Sequence, residues 1–284
     1  RATMKIPERG MDEEALFERI DAYRKDDLRW RNGKVWGYVF DAGRKAEQVG
    51  KRAYTEFLSE NALDPTVYPS LLRFENEVVA MAAAPLGGDQ EVAGTFTSGG
   101  TESIILAVMV ARERGRARGI ERPQLVVPVT APAAFHKAAH YLDVDLAVTP
   151  VDPLSFAADV NAMGRAITES TVMIVGSATS YAHGVIDPIA ELGALGLERD
   201  LLLHVDGCIG GFLLPYLRRL GEPVPAFDFA VPGVTSISMD LHKYAYCPKG
   251  ASVVLYRSKE LRKHQLFACA RWTGAARYCC SKAA

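Results

Sequence analysis

The chain has 284 residues, 49% of them apolar, and a formal net charge of −1 at pH 7. Near-neutral charge gives no electrostatic reason to expect a nucleic acid or a membrane surface as partner, and so large an apolar fraction excludes disorder for most of the chain. The length accommodates one large or two ordinary domains around a sizeable core.

The N-terminal RATMKIPERG carries no apolar signal region, and its initial Arg suggests a processed or fragmentary chain. Residues 11–31 read as a helix, with Met11, Leu16, Ile20 and Tyr23 spaced for one face among charges. After a break at Gly33 to Gly37, a second helical segment spans 42–61 and ends near Asn61 and Asp64-Pro65. A third, at 70–84, stops at Pro85 and Gly87-Gly88. Short β-rich runs follow: LVVPVT (125–130), LAVTPVD (146–152), TVMIVGSA (171–178), LLLHVD (201–206), TSISMD (235–240) and SVVLYR (252–257). Helical stretches near 102–118, 133–142, 157–168, 187–198 and 210–220 separate most of them. Every long apolar run is interrupted by Gly, Pro or charge, so no transmembrane segment is expected.

Alternating β and α with near-continuous apolar strands predicts an α/β fold, a mostly parallel sheet with helices on both faces. Ligands of such sheets bind beyond the carboxyl ends of the strands, so the chemical residues should lie just after strands. The five cysteines, Cys208, Cys247, Cys269, Cys279 and Cys280, show no paired metal-ligand spacing. Their odd number and low density argue against a disulfide scaffold and for incidental thiols in a reducing, cytoplasmic compartment.

Three segments carry chemistry. G-T-F-T-S-G-G-T-E-S at 94–103 leads into an apolar helix. Two glycines let backbone N–H groups face one point, a hydroxyl follows, and then a helix N-terminus, which together make an anion cradle. The segment lacks the Lys-Ser/Thr of a nucleotide P-loop and the GxGxxG order of a dinucleotide site, so a single phosphate ester fits best. Capping explains the same polar residues, with Ser98 or Thr101 as N-cap and Glu102 favoured by the helix dipole.

L-L-L-H-V-D at 201–206 puts Asp206 at the carboxyl end of a buried strand. There it can hydrogen-bond a protonated ring nitrogen, or cap the helix starting near Gly210. His204, two residues earlier on the same face, reads as a core histidine satisfied by backbone rather than as a catalytic one.

S-M-D-L-H-K-Y-A-Y-C-P-K-G at 238–250 supplies Lys243, with His242 beside it and Lys249 six positions on. A lysine at the end of a buried strand is either a solvated loop residue or a group in chemical use. Desolvation lowers an amine's pKa, and a neutral amine attacks a carbonyl to form a Schiff base. A phosphate cradle, a strand-end Asp and then a Lys about 37 residues later is the layout that pyridoxal phosphate chemistry needs.

Together these segments resemble fold-type I pyridoxal-phosphate enzymes of the group II decarboxylase superfamily, and within it the sphingosine-phosphate lyase family with its bacterial relatives. The resemblance is carried by GTFTSGGTES (94–103), VPVTAPAAFHKAAHY (127–141), IVGSATSYAHGVIDP (174–188), HVDGCIGGFLLP (204–215) and FDFAVPGVTSISMDLHKYAYCPKGASVVLY (227–256). It implies a cofactor-binding large domain at 69–262, preceded by a helical segment and interface loops at 1–68. A truncated or aberrant tail at 263–284 would then stand where the family has a small C-terminal domain. It also implies Lys243 as the covalent lysine, Asp206 facing the pyridine nitrogen, and Ser98, Gly99, Gly100 and Thr101 holding the cofactor phosphate with His242. Lys249 matches a lysine that binds the substrate phosphate in the lyases. A homodimer is implied as well, in which segment 30–70 reaches the partner's site and Trp30, Trp36 and Tyr68 either supply apolar anchors or pack within one subunit.

Several positions depart from the family pattern. The ring-stacking histidine of the lyases is here Pro132, their small Ser is Trp36, and their tyrosine four residues on is Phe40. A phosphate-facing histidine is Asp64, an anion where an anion is to be bound. The last stretch, RWTGAARYCCSKAA, does not look like the family.

The activity implied is carbon–carbon cleavage of a phosphorylated amino alcohol, giving a fatty aldehyde and phosphoethanolamine. Lys249 favours a phosphate-bearing substrate, since an amino acid's carboxylate calls for an arginine fork. Amino-acid decarboxylation through the same electron sink is one alternative. Cofactor binding without turnover is another, and the departures favour it.

Overall fold

The computed structural model describes residues 5–267. The chain divides into two compact units at Asp41/Ala42. In the first, α1 (Glu13–Tyr23) starts at Asp12, whose carboxylate accepts the Ala15 N–H at 3.0 Å, the usual role of an N-cap aspartate. A 3₁₀ turn at Arg24–Asp26 and another at Trp30–Asn32 follow, the second closing on Gly33 at φ 71°. The helix expected over 11–31 is therefore shorter, because extended backbone at Asp27 interrupts it. No residue of α1 is buried, and Leu16, Phe17, Ile20 and Tyr23 are exposed.

The second unit begins with α2 (Arg44–Glu56) and α3 (Pro69–Ala83). Proline opens α3 at its first position, where its missing N–H costs no helical hydrogen bond. Then come β1 (Ala93–Thr97), α4 (Gly100–Ala117), β2 (Gln124–Pro128), α5 (Ala133–Leu142), β3 (Asp145–Thr149), α6 (Val160–Ala166) and β4 (Thr171–Ser177). They are followed by α7 (Ile189–Glu198), β5 (Leu202–Asp206), α8 (Gly210–Arg219), β6 (Val234–Met239), β7 (Ser252–Tyr256) and α9 (Lys259–Arg262). No described helix is long and apolar enough to cross a membrane.

The strands form one sheet in the order β1-β7-β6-β5-β4-β2-β3. Among the described strands only β7 runs against the rest, antiparallel to both β1 and β6. Alternate strand residues serve opposite faces, as the two-residue period requires. Val126, Ile174, Leu203, Val205, Ile237 and Val253 pack with residues of α3, α6, α7 and α8. Leu125, Val127, Met173 and Val175 pack with Ile104, Val108 and Ala111 of α4 and Phe135 and Ala138 of α5. Helices thus cover both faces, as a parallel sheet with apolar strands demands.

The register brings the site to one edge. Thr97 at the end of β1 pairs with Ser252, Ser238 on β6 pairs with Asp206, and Asp206 pairs with Ser177 at the end of β4. The turns that leave these strands meet there.

Candidate functional site

A cleft of 440 Å³ opens at this edge. Ser98 to Glu102 line it from the β1–α4 turn, Pro132 and Ala134 from the start of α5, and Thr179 and Tyr181 from the loop after β4. Asp206 and Cys208 follow β5, and Asp240, His242 and Lys243 follow β6. Ser98, Gly99, Gly100, Thr101, Asp206, His242 and Lys243 are therefore brought together. Lys249 is exposed and does not line the cleft. Burial, and then the charge of Lys243, lower its pKa.

The N-cap of α4 is Gly99, and among the described residues no side chain caps it. This corrects the reading of Ser98 or Thr101 as cap. Instead Glu102 reaches back to accept from Ser98 N at 2.7 Å and Ser98 Oγ at 2.6 Å, which fixes the turn and leaves the helix start facing the cleft. The two glycines serve different needs. A Cβ on Gly100 would lie 2.6 Å from Cys208 Sγ and 3.0 Å from each Asp240 carboxylate oxygen. A Cβ on Gly99 would meet His242 Cε1 at 3.7 Å and otherwise open space.

Asp206 is the last residue of β5 and is buried. Its Oδ1 accepts from Cys208 N at 3.1 Å and from Ser238 Oγ at 3.3 Å. It does not cap α8, whose N-cap is Ile209. Burial raises its pKa, against the lowering effect of the Cys208 hydrogen bonds and of Lys243. His204 is held by side chains rather than by backbone, with Nδ1 2.9 Å from Ser236 Oγ and Nε2 3.3 Å from Ser238 Oγ. Burial pushes its pKa down to about 3.

Lys243 Nζ lies 2.8 Å from Asp240 Oδ2. Burial acts to lower the amine's pKa, as expected from the sequence, but nearby negative groups outweigh it and the net shift is upward. Cys208, one of those groups, is held well above the usual thiol range by burial, so at neutral pH the carboxylates of Asp240 and Asp206 do the raising. The expected free amine is thus a paired ammonium. Ser252 Oγ is 2.6 Å from Asp240 Oδ1, and Ser103 and Thr97 continue the chain of hydroxyls at 3.1 and 2.6 Å. His242 accepts the Ala251 N–H on Nδ1 at 3.2 Å, so its proton sits on Nε2 when the ring is neutral.

Asp240, Ser238 and Ser252 were not singled out from the sequence. Asp240 had one usable signal, an acid three residues before Lys243. The departures fall as follows. Pro132 is the N-cap of α5 and lines the cleft. Asp64 accepts from Thr66 N at 2.8 Å and Thr66 Oγ1 at 2.6 Å in a local turn. Trp36, 79% exposed, and Phe40 belong to the first unit with Trp30, while Tyr68 is the N-cap of α3. Cys208 and Cys247 are free thiols. Cys269, Cys279, Cys280 and the tail from residue 268 lie outside the described residues.

Residues 5–280 match the family model described as the pyridoxal-dependent decarboxylase conserved domain. The sphingosine-1-phosphate lyase of Arabidopsis thaliana is 45% identical over 278 residues, covering 95% of this chain and 51% of that protein. Sphingosine-1-phosphate lyase 1 of Rattus norvegicus is 42% identical over 270 residues, 95% of this chain and 47% of that protein. The chain spans about half the length of the curated relatives it matches. Among solved structures, a Burkholderia pseudomallei sphingosine-1-phosphate lyase superposes with a TM-score of 0.92 at 43% identity, covering 96% of this chain and 65% of that one. A Lactobacillus brevis glutamate decarboxylase shares the fold, with a TM-score of 0.82 at 23% identity over 95% of this chain and 63% of that one.

Proposed function

Because the chain belongs to the pyridoxal-dependent decarboxylase family, its cofactor is pyridoxal 5′-phosphate, and we propose that it carries the site of a carbon–carbon lyase acting on a phosphorylated long-chain amino alcohol. One observation carries the choice of reaction. Seven relatives named sphingosine-1-phosphate lyase are 38–45% identical over 95% of the chain, whereas a Lactobacillus brevis glutamate decarboxylase and a Vibrio parahaemolyticus glutamate decarboxylase domain that share the fold are 23% and 20% identical.

The residues fit the cofactor. Gly99 leaves a space at the start of α4 that a Cβ would enter, next to His242, as a phosphate seat requires. The Cys208 N–H and the Ser238 hydroxyl both bond Oδ1 of Asp206, which supports Oδ2 as the acceptor for a ring N–H. When bound, the cofactor supplies an electron sink for the bond that breaks. Lys243 is the attachment point, Asp206 faces the ring nitrogen, and Ser98, Gly99, Gly100, Thr101 and His242 hold the phosphate. Asp240 takes the proton that Lys243 must lose before its amine can attack. Lys249, outside the cleft lining but near enough for the charges of Lys243 and Asp240 to act on it, is our candidate for the substrate's own phosphate. The exposed apolar face of α1 and the exposed Trp36 support a homodimer, and the free thiols support a reducing compartment such as the cytoplasm.

Purified protein incubated with the cofactor should develop a long-wavelength absorption band. Borohydride should then lock the label onto Lys243, where mass spectrometry finds it. Given a phosphorylated long-chain base, the protein should release phosphoethanolamine and a fatty aldehyde. Release of CO₂ from an amino acid, with no aldehyde from the base, would reassign it as a decarboxylase.

A further inference from the structure

Ser238, fully buried on β6, has three polar side-chain neighbours. They are Asp206 Oδ1 at 3.3 Å, His204 Nε2 at 3.3 Å and Cys208 Sγ at 3.4 Å. A hydroxyl has one proton to give and two lone pairs to receive with. With Asp206 ionised, its carboxylate only accepts, and the Ser238 proton goes to it. Ser238 then receives from His204 through Nε2–H, while Cys208, whose Sγ is 3.4 Å away, has a single S–H that also serves Asp206. A neutral imidazole has one N–H, so Nδ1 of His204 is bare and accepts the Ser236 hydroxyl at 2.9 Å. Every proton along Ser236, His204, Ser238 and Asp206 points toward the carboxylate.

We propose that Ser236, His204 and Ser238 are positioning residues, a one-way hydrogen-bond relay that keeps Asp206 ionised and fixes its orientation. Its value for the cofactor rests on the reading of Asp206 as partner of the ring nitrogen; the relay itself does not. The need for it is physical. Asp206 is buried, and burial favours the protonated acid, which would be a poor partner for a positive ring. Asp240 adds a like charge that works the same way, and Lys243 is the cation that opposes it. His204 is fully buried in a T-shaped contact with the Phe135 ring, 5.9 Å between centroids, and stays neutral. It therefore supplies a fixed dipole without a net charge. Cys208 is kept a thiol by burial, so it adds no negative charge beside Asp206 and its S–H remains a donor there.

The relay makes a claim about proton positions that NMR can read on the full chain without cofactor. Nitrogen-15 shifts of His204 should show protonated Nε2 and bare Nδ1, unchanged between about pH 5 and pH 9. A ring protonated on Nδ1, or on both nitrogens, would overturn the relay. Carbon-13 titration of the Asp206 carboxyl gives the second reading. Ser238→Ala should move that titration up by about one to two pH units, the worth of one hydrogen bond to a charged group. Ser238→Thr, which keeps the hydroxyl, should restore it. No movement in Ser238→Ala would also overturn the relay, and if that variant does not fold the wild-type tautomer decides alone. A correct tautomer in a protein that takes up no cofactor would fault the functional reading, while a wrong tautomer in one that does would fault the relay.

Discussion

Lys243 Nζ and Asp240 Oδ2 are 2.8 Å apart, on two residues separated by three positions in the turn that leaves β6. The amine is partly exposed and the carboxylate buried, with the Ser252 hydroxyl on its other oxygen. The pair raises the folded-state pKa of Lys243 above 10.5. A raised lysine pKa contributes stability that is fully present below the unfolded value and is lost as pH climbs through the folded one. Asp240→Asn should therefore cost about 2–3 kcal/mol at neutral pH, the low side for breaking such a pair because the amine is not fully buried. Urea denaturation should show the gap between wild type and variant closing as pH rises past 10.5. A gap that stays constant would mean that the ion pair is not its source.

The two glycines at the start of α4 should separate folding from cofactor holding. Gly100→Ala pushes a methyl into Cys208 and the Asp240 carboxylate, contacts of 2.6 and 3.0 Å that the packed interior has to absorb. Overpacking of this kind costs about 1–3 kcal/mol, so its melting temperature should fall. Gly99→Ala meets nothing closer than 3.7 Å and should melt like wild type. That methyl occupies the proposed phosphate seat, however, so cofactor titration should show weakened binding. Equal affinity in Gly99→Ala and wild type would move the phosphate elsewhere.

His204 predicts part of the acid limb of stability. Its folded pKa of about 3 lies below the ordinary 6.5. Between those values the unfolded chain binds a proton that the folded chain refuses, so stability falls as pH falls. One such group contributes a slope of about 1.4 kcal/mol per pH unit over that window. Asp187 and Asp206, raised chiefly by burial, work the other way below neutral pH and flatten the wild-type curve. The useful quantity is hence the difference between wild type and His204→Asn, which should shrink by about 2–3 kcal/mol from pH 6 to pH 4. Parallel curves for the two proteins would mean that His204 is already charged at pH 6 or not buried.

The strands were legible where burial on both faces demands apolar runs, as in VMIV at 172–175 and VVL at 253–255. β1 was not, because A-G-T-F-T has a weak apolar signal and owes its strand form to pairing with β7, a tertiary contact. Asp206, Lys243 and the glycine turn stood out because their residue types are unusual where the chain put them. Asp240 did not. An acid three residues before a lysine looks like surface, and its burial depends on Gly100 at the start of α4 and Ser252 at the start of β7, which arrive from elsewhere in the chain. Ser238 escaped for the same reason, since serine is unremarkable until its three partners are known.

Pro132 offers the sharpest test of the reaction. The resemblance puts an imidazole at this position, stacked on the cofactor ring, where proline can pack but cannot exchange a proton. The backbone would accept the change. Pro132 has φ −56° and ψ 145°, an extended conformation open to histidine, and its carbonyl already accepts the Phe135 N–H at 3.0 Å in either case. Its side chain lines the cleft, so the new ring would enter the site rather than the core. Wild-type turnover on a phosphorylated long-chain base should lie below the ordinary enzyme range of about 1 s⁻¹ and above. Losing one positioned acid–base group costs about 10²–10⁴-fold, and Phe40 and Asp64 remain changed, so recovery should sit at the low end. Pro132→His should raise kcat about 100-fold with little change in melting temperature, whereas Pro132→Gln, polar but without the ring, should not. Equal gains in both variants would show that relief of proline rigidity, not the imidazole, was at work, and wild-type turnover above 1 s⁻¹ would show that the site never needed it.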